Sequence, residues 1–565
     1  MRNIMGMSIS NPNLPKSILA FRSYTRQMFV HDLLAGITVG LVALPLAMAF
    51  GIASGVTPQA GLYTAVVAGF LISALGGSRT QIGGPTGAFV VIVAGIVARF
   101  GMSGLAMVTS MAGVILLLMG ITGLGAAVRF IPRMVVIGFT NGIAILIAST
   151  QVKDFLGLRT GPVPGEFLPR MRLLAAHFST LNCAAVGLGV GTLAILLLMP
   201  RVTKRLPASI VAVVGCTAIC YVFHLPVETI GSKFGGIPRG LPPFALPDFH
   251  SEHFLPLIPS AFTVALLAAL ESMLSAVVAD GMTGDRHNSN VELVAQGVAN
   301  LVSPLFGGIP ATGAIARTAT NIRSGAKSPV AGMVHALTLL LILLVAAPLA
   351  SYIPLATLAG VLFVVAYNMG EWGEIGGIFQ LDFAAISVWL VTFGLTVFAD
   401  LTVAVAVGMS LAALLYIYRI ADTTTVSPVT DEYIRDGLPH VLQGRILPPY
   451  VTLLRIHGPF LFGTTERLVE ASVDLERFAP VVILRLRNMT AIDATGIHAI
   501  ERFAKRLHES GRALLLCGAM EQPSKLLLGG RFVESVGREN MMPNIQAALD
   551  RARVVAATRM DRLAG

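Results

Sequence analysis

Fourteen apolar stretches occupy the first 420 residues. Eleven are long, at roughly 33–50, 61–75, 106–125, 132–150, 181–199, 208–223, 257–279, 328–349, 353–368, 383–399 and 401–419. Three are short or interrupted, near 85–98, 290–305 and 312–322. Runs of this length and apolarity read as membrane spans. The charged share supports this: 12% against 55% hydrophobic, about half that of a soluble globular chain. Most of this chain therefore lives in lipid.

The charges set an expected orientation. With the N-terminus inside, inner ends receive Arg79, Arg129, Arg133, Arg201, Lys204, Arg205, Arg286, Arg323, Lys327 and Arg419. Short outer connections receive little beyond Arg99. This bias predicts an even number of crossings with both termini in the cytoplasm, in a bacterial inner membrane. It also accounts for the net charge of +10. No basic run is interleaved with aromatics, so nucleic acid is not an expected partner. The four cysteines show neither a disulfide framework nor a metal-site spacing. No signal-peptide pattern precedes the first span, which reads as uncleaved.

Composition divides the chain further. Residues 1–31 read as a cytoplasmic N-terminus and 32–420 as a transmembrane transporter domain. Residues 421–439 are polar and turn-rich, a linker. Over 440–555, strand-like runs at 440–447, 450–462, 481–487 and 513–518 alternate with amphipathic stretches such as 494–508. That alternation predicts a small cytoplasmic α/β domain, with 556–565 as a tail.

Inside the apolar region two stretches carry the same breakers. "GGPTGAF" stands at 83–89 and "GGIPATGAIART" at 307–318. Each follows the start of a long span, near 33 or near 257, by a similar distance. Seven crossings before and seven after place the two halves, about 32–223 and 257–420, in opposite orientation. Paired, Gly/Pro-interrupted segments at corresponding positions point to the binding site of an inverted-repeat transporter. A helix that starts at mid-bilayer leaves its first N–H groups unpaired and carries a partial positive charge there. Two such ends facing each other favour an anion. Gly87 and Gly313 let a ligand approach the backbone, and Thr86 and Thr312 can cap or donate.

Two charges stand inside spans. Arg317 lies in the second short helix, where an arginine costs about 2.5–3.5 kcal/mol on insertion scales. Glu271 stands alone in "ALLAALESMLSAVVADGMTG" (265–284), with Ser275 one turn later on the same face. A carboxyl in hydrocarbon is costly when ionised and tends to take a proton, which suits a proton carrier. Two rival uses stay open: a static Glu271–Arg317 pair, and a sodium site. The second is disfavoured because Ile315, facing Glu271, offers no side-chain oxygen.

These residues resemble the SulP (sulfate permease) family of anion transporters over essentially the whole chain. The resemblance runs from "DLLAGITVGLVALPLAMAFG" (32–51) through both breaker motifs into a C-terminal domain similar to STAS. The stretch 268–329 and "QVKDFLGL" (151–158) are most similar to the family's bacterial C4-dicarboxylate transporters. The resemblance implies an all-α polytopic domain of 14 segments in a 7+7 inverted repeat, with a core domain moving against a gate domain. It implies substrate contacts from Phe50, Thr86, Gly87, Ala88, Phe89, Gly313, Ala314, Ile315, Ala316 and Arg317. It assigns cation coupling to Glu271, with Ser275 beside it. It also implies a homodimer, with a possible cytoplasmic protein partner for STAS. Thr495, in "AIDATGIHAI", falls where anti-sigma antagonists carry a phosphorylated serine; "DATG" at a strand-to-helix turn is equally an ordinary N-cap.

The expected function is secondary active, proton-coupled uptake of C4-dicarboxylates such as fumarate, succinate or aspartate by alternating access. Transport of sulfate or bicarbonate is the alternative, and an anion channel or sensor is the rival class. No cofactor is implied. No nucleophile–base pair, metal motif or phosphate loop suggests an enzyme.

Overall fold

The computed structural model describes residues 14–21, 24–125, 131–161, 163–203, 207–237, 240, 242, 244–246, 254–399, 401–429, 447–529 and 531–564. The charges Arg129, Lys204 and Arg205, residues 430–439 of the expected linker and 440–446 of the first expected strand lie outside them. The chain divides into two units, Met1–Ser410 and Leu411–Gly565.

The first unit is helical. Its first half holds α1 (Lys16–Phe21), α2 (Arg26–Ala53), α3 (Pro58–Leu75), α4 (Val90–Ile121), α5 (Arg133–Leu156), α6 (Phe167–Ala176), α7 (Cys183–Val202) and α8 (Ala208–Val222). The second half holds α9 (Ile230–Phe234), α10 (Phe254–Thr283), α11 (Ser289–Val302), α12 (Ile315–Arg323), α13 (Val330–Ala350), α14 (Leu355–Met369), α15 (Trp372–Ile378) and α16 (Phe383–Phe398). The helix α17 (Leu401–Thr423) spans the division between units. Among the described residues nine helices are long and apolar enough to cross a membrane, and α8 and α16 are shorter apolar ones.

Local chemistry sets several boundaries. Thr25 caps α2 by accepting from Met28 N at 3.2 Å, and Asn288 caps α11. Pro58 opens α3, where its missing N–H costs nothing. The expected segments near 85–98 and 106–125 are two helices, taken together here as α4, that meet at Gly101, whose φ of 67° and ψ of −166° no helix accommodates.

Two groups of helices pack among themselves. The first comprises α2, α3, α4, α10, α11, α12 and α13; the second comprises α5, α7, α8, α14 and α16. These match the expected core and gate. Without a hydrophobic drive between helices in lipid, close packing depends on small residues. Gly113 of α4 and Gly297 of α11 cross reciprocally, each so close that an added Cβ would lie 2.9 Å from the other's carbonyl oxygen. At one end of the unit Lys16 and Arg79 both pair with Asp285 at 3.1 Å. Charges expected on the inner side thus converge. Arg170 of α6 is buried and donates to Ser149 Oγ at 2.8 Å and the Pro164 carbonyl at 3.1 Å. It pins the loop before α6 to α5.

The short strands β1 (Gly83–Gly84) and β2 (Thr312–Gly313) pair antiparallel, Gly83 with Gly313 and Gly84 with Thr312. They lie at the two breaker motifs and satisfy backbone groups that the interrupted helices leave open.

The second unit is an α/β domain. Its sheet has the order β3 (Thr425–Pro428), β4 (Val451–Phe460), β5 (Val481–Ile492), β6 (Ala513–Cys517) and β7 (Met541–Met542). β3 runs antiparallel to β4, and the other neighbours are parallel. The expected linker therefore contributes a strand. Its turn-rich composition conceals β3, which exists because β4 offers an edge. Helix Ala494–Glu509 packs Ile500, Phe503 and Leu507 into the core.

Candidate functional site: two broken segments around Arg317

The two breaker motifs meet at the β1–β2 pair. The first continues as a short turn of 3-10 helix, Gly87–Phe89, into α4. The second continues as α12. The first residues of α12 are Ile315, Ala316 and Arg317, so their N–H groups have no partner within that helix.

Arg317 is 2% exposed. Its Nη2 donates to the Pro85 carbonyl, in the first motif, 232 residues earlier. Its Nη1 has no hydrogen-bond partner. Gly84 makes room for it: φ there is +146°, and a Cβ would lie 2.7 Å from Nη1. Thr86 precedes the turn in extended conformation, and its hydroxyl is buried and unpartnered too. The site thus offers a fixed cation with a spare donor, a spare hydroxyl and the start of α12.

The remaining expected residues are placed as follows. Phe89 and Ala88 are buried. Phe50 of α2 stands over Gly87, where a Cβ would lie 3.3 Å from Phe50 Cε1, 3.1 Å from Ile147 Cδ1 and 2.6 Å from Met369 Cε. Ile147 and Met369 carry no sequence signal beyond apolarity. Ile315 and Ala316 are exposed, whereas Arg317 is buried. Gly313 N donates to Ser272 Oγ at 3.0 Å and Ala314 N to the Ile82 carbonyl at 2.8 Å. Those two N–H groups are committed to the scaffold. Thr312 does not cap either: its hydroxyl donates to the Ala268 carbonyl at 2.8 Å and lies 2.9 Å from Ser272 Oγ.

Glu271 lies on α10 beside Phe139 and Thr140 of α5, Leu267, Leu270 and Leu274 of its own helix, and Val405. Among the described residues no ion pair joins it to Arg317, so the static-pair alternative is not realised here. Ser275 is fully buried and shares a 2.9 Å hydrogen bond with Thr318. Its hydroxyl braces α12 against α10.

A ring of buried polar side chains holds the motifs in place, and sequence reasoning missed most of it. Asn300 of α11 bonds both backbone groups of Ala311, at 2.8 and 2.9 Å. Thr318 accepts from Ile82 N at 3.0 Å, and Asn321 donates to the Thr80 carbonyl at 2.9 Å. Glu292 accepts from Gly77 N and Ser78 N ahead of the first motif. Asp32 accepts from Lys327 N, Ser328 N and Ser328 Oγ beyond the second. Each carboxylate belongs to the opposite repeat from the loop it holds. None of these is a lone polar residue in an apolar run, so no such signal was available.

In the second unit Asp493, not Thr495, caps the helix Ala494–Glu509, accepting from Gly496 N at 2.8 Å. Thr495 is partly buried one residue inside.

Residues 29–392 match the Sulfate permease family and residues 446–548 the STAS domain. A putative sulfate transporter, YvdB of Bacillus subtilis, is 42% identical over 92% of this chain and 97% of its own. The bicarbonate transporter BicA of Picosynechococcus is 32% identical over 92% and 94%. The murine Solute Carrier 26 member A9 anion transporter shares the fold at a TM-score of 0.85 and 18% identity, over 98% of this chain and 96% of that one. With its bacterial relatives and many apolar helices, this is a multi-pass protein of the bacterial inner membrane, a transporter and not an enzyme. The chain belongs to the sulfate permease family of anion transporters and ends in a STAS domain.

Proposed function

We propose that this chain is a proton-coupled secondary transporter of a small inorganic oxyanion, sulfate or bicarbonate, working by alternating access. The observation that carries the reading is Arg317: buried, tied to Pro85 on one side, with Nη1 unpartnered, while the hydroxyl of Thr86, next to Pro85 in the first motif, is unpartnered too. A buried permanent charge with spare donors is stabilised by an anion that it can contact directly. The relatives' names favour sulfate and bicarbonate, and none of those compared supports the C4-dicarboxylate expectation.

Glu271 carries the proton. Its carboxyl stands on the core helix α10 against the gate helix α5, so its charge state bears on the movement of one group against the other. A sodium site would need several oxygens. Ile315 supplies none from its side chain, and Ser275 is occupied by Thr318. Both termini lie in the cytoplasm and STAS mediates a homodimer in this reading.

The test is uptake of radiolabelled sulfate and bicarbonate into vesicles reconstituted with the full chain, with succinate and fumarate as competitors. Accumulation of sulfate or bicarbonate against its gradient under an imposed pH gradient is expected. Indifference to that gradient would sink proton coupling, and inhibition by the dicarboxylates alone would return the substrate to that class.

A further inference from the structure

The anion site uses one side of Arg317, and the structure has a second polar group behind it. His335 of α13 is 0% exposed, and neither ring nitrogen has a hydrogen-bond partner. The Gly332 carbonyl is near the ring, but outside hydrogen-bonding geometry. A Cβ on Gly69 of α3 would lie 3.6 Å from His335 Cε1 and 3.1 Å from the Gly83 carbonyl oxygen. The imidazole and β1 thus both face Gly69, and the next residue along β1, Gly84, is where Arg317 Nη1 ends. Ser73 adds a third open group. It lies one turn along α3 from Gly69, against Gly332, and its hydroxyl is buried and unpartnered.

Three unsatisfied polar side chains thus gather behind β1. Buried polar atoms are rarely left unpaired, and internal water with two to four polar partners is the usual solution. An imidazole beside a guanidinium offers a ring nitrogen as acceptor, while the other nitrogen and Ser73 Oγ complete a water's coordination. We infer that His335 is a positioning residue: through ordered water shared with Ser73 it accepts one of the two hydrogens that Arg317 Nη1 leaves unpaired, leaving the other for the anion, and so sets the guanidinium's angle. The inference rests on the reading of Arg317 as the anion's partner. It extends the site to a residue that never touches the substrate.

The test compares His335→Leu, His335→Gln and Arg317→Ala in reconstituted vesicles, with sulfate and bicarbonate as probes. His335→Leu should raise KM at least tenfold with a smaller change in the maximal rate. His335→Gln, which keeps a donor and an acceptor, should recover most of that loss. A wild-type KM in His335→Leu, or no recovery in His335→Gln beside a loss in His335→Leu, overturns the inference. An unchanged KM in Arg317→Ala would instead refute the anion site itself. Should the leucine variant fail to fold, radiolytic footprinting of the wild-type chain decides. Water at the ring makes His335 react faster, after correction for intrinsic reactivity, than Leu339, which is equally buried one turn along. Equal rates refute the inference.

Discussion

The two breaker motifs begin alike and end differently. In the second, "GGIPATGAIART", the stretch ahead of α12 is committed: Ala311 to Asn300, Thr312 to Ala268 and Ser272, Gly313 to Ser272, Ala314 to Ile82. In the first, "GGPTGAF", the Thr86 hydroxyl is open, and the Pro85 carbonyl receives Arg317 from the other repeat. The two motifs share a backbone device, and their side chains give them separate work. The second is a rigid, charged arm and the first a receiving surface.

The largest break in this comparison comes from Arg317→Ala. Uptake in vesicles should fall at least a hundredfold, since both the permanent charge and the link between motifs are lost. Sulfate or bicarbonate uptake within a few-fold of wild type would show that the charged arm is not the recognition element.

Gly84→Ala tests the receiving side. The new Cβ would press on Nη1 at 2.7 Å, at a φ of +146° that side chains rarely adopt. Affinity should fall about tenfold. Gly281→Ala, placed in open space on α10, is the control and should leave transport unchanged. Equal behaviour of the two would sink the close-approach argument.

Glu271→Gln should keep anion binding, read by titration calorimetry, and lose the response of uptake to an imposed pH gradient. A retained pH response would remove Glu271 from coupling.

The paired threonines give the sharpest and smallest test. Thr86→Val removes an open hydroxyl; affinity should drop several-fold, in line with about 1 kcal/mol for one hydrogen bond, with little change in melting temperature. Thr312→Val removes a committed one; it should lower stability by about 1–3 kcal/mol and leave KM nearly unchanged. The reverse pattern would exchange the roles of the two motifs.

Much of this was legible early. Apolar runs, the Gly/Pro breakers and the lone Arg317 and Glu271 are local signals, because lipid penalises each polar residue on its own. The junction at Gly101 was less legible: a gap in hydropathy does not say whether a helix stops or bends. Asp32, Glu292, Asn300 and Ser272 were passed over: each has another polar residue within four positions in the sequence, so none stands alone in an apolar run. Their partners are backbone groups of distant loops, and backbone groups leave no trace in side-chain pattern.

By itself, the sequence determined that this chain spans a membrane, that two helices break within it, and that one break bears a fixed charge. Tertiary structure alone decided that Arg317 crosses to Pro85, that Thr86 stays open while Thr312 is locked, and that His335 is buried with both ring nitrogens open. Cost in lipid is a property of each residue and can be read one residue at a time. A hydrogen-bond partner is a property of two segments, and only folding brings residues 85 and 317 within reach.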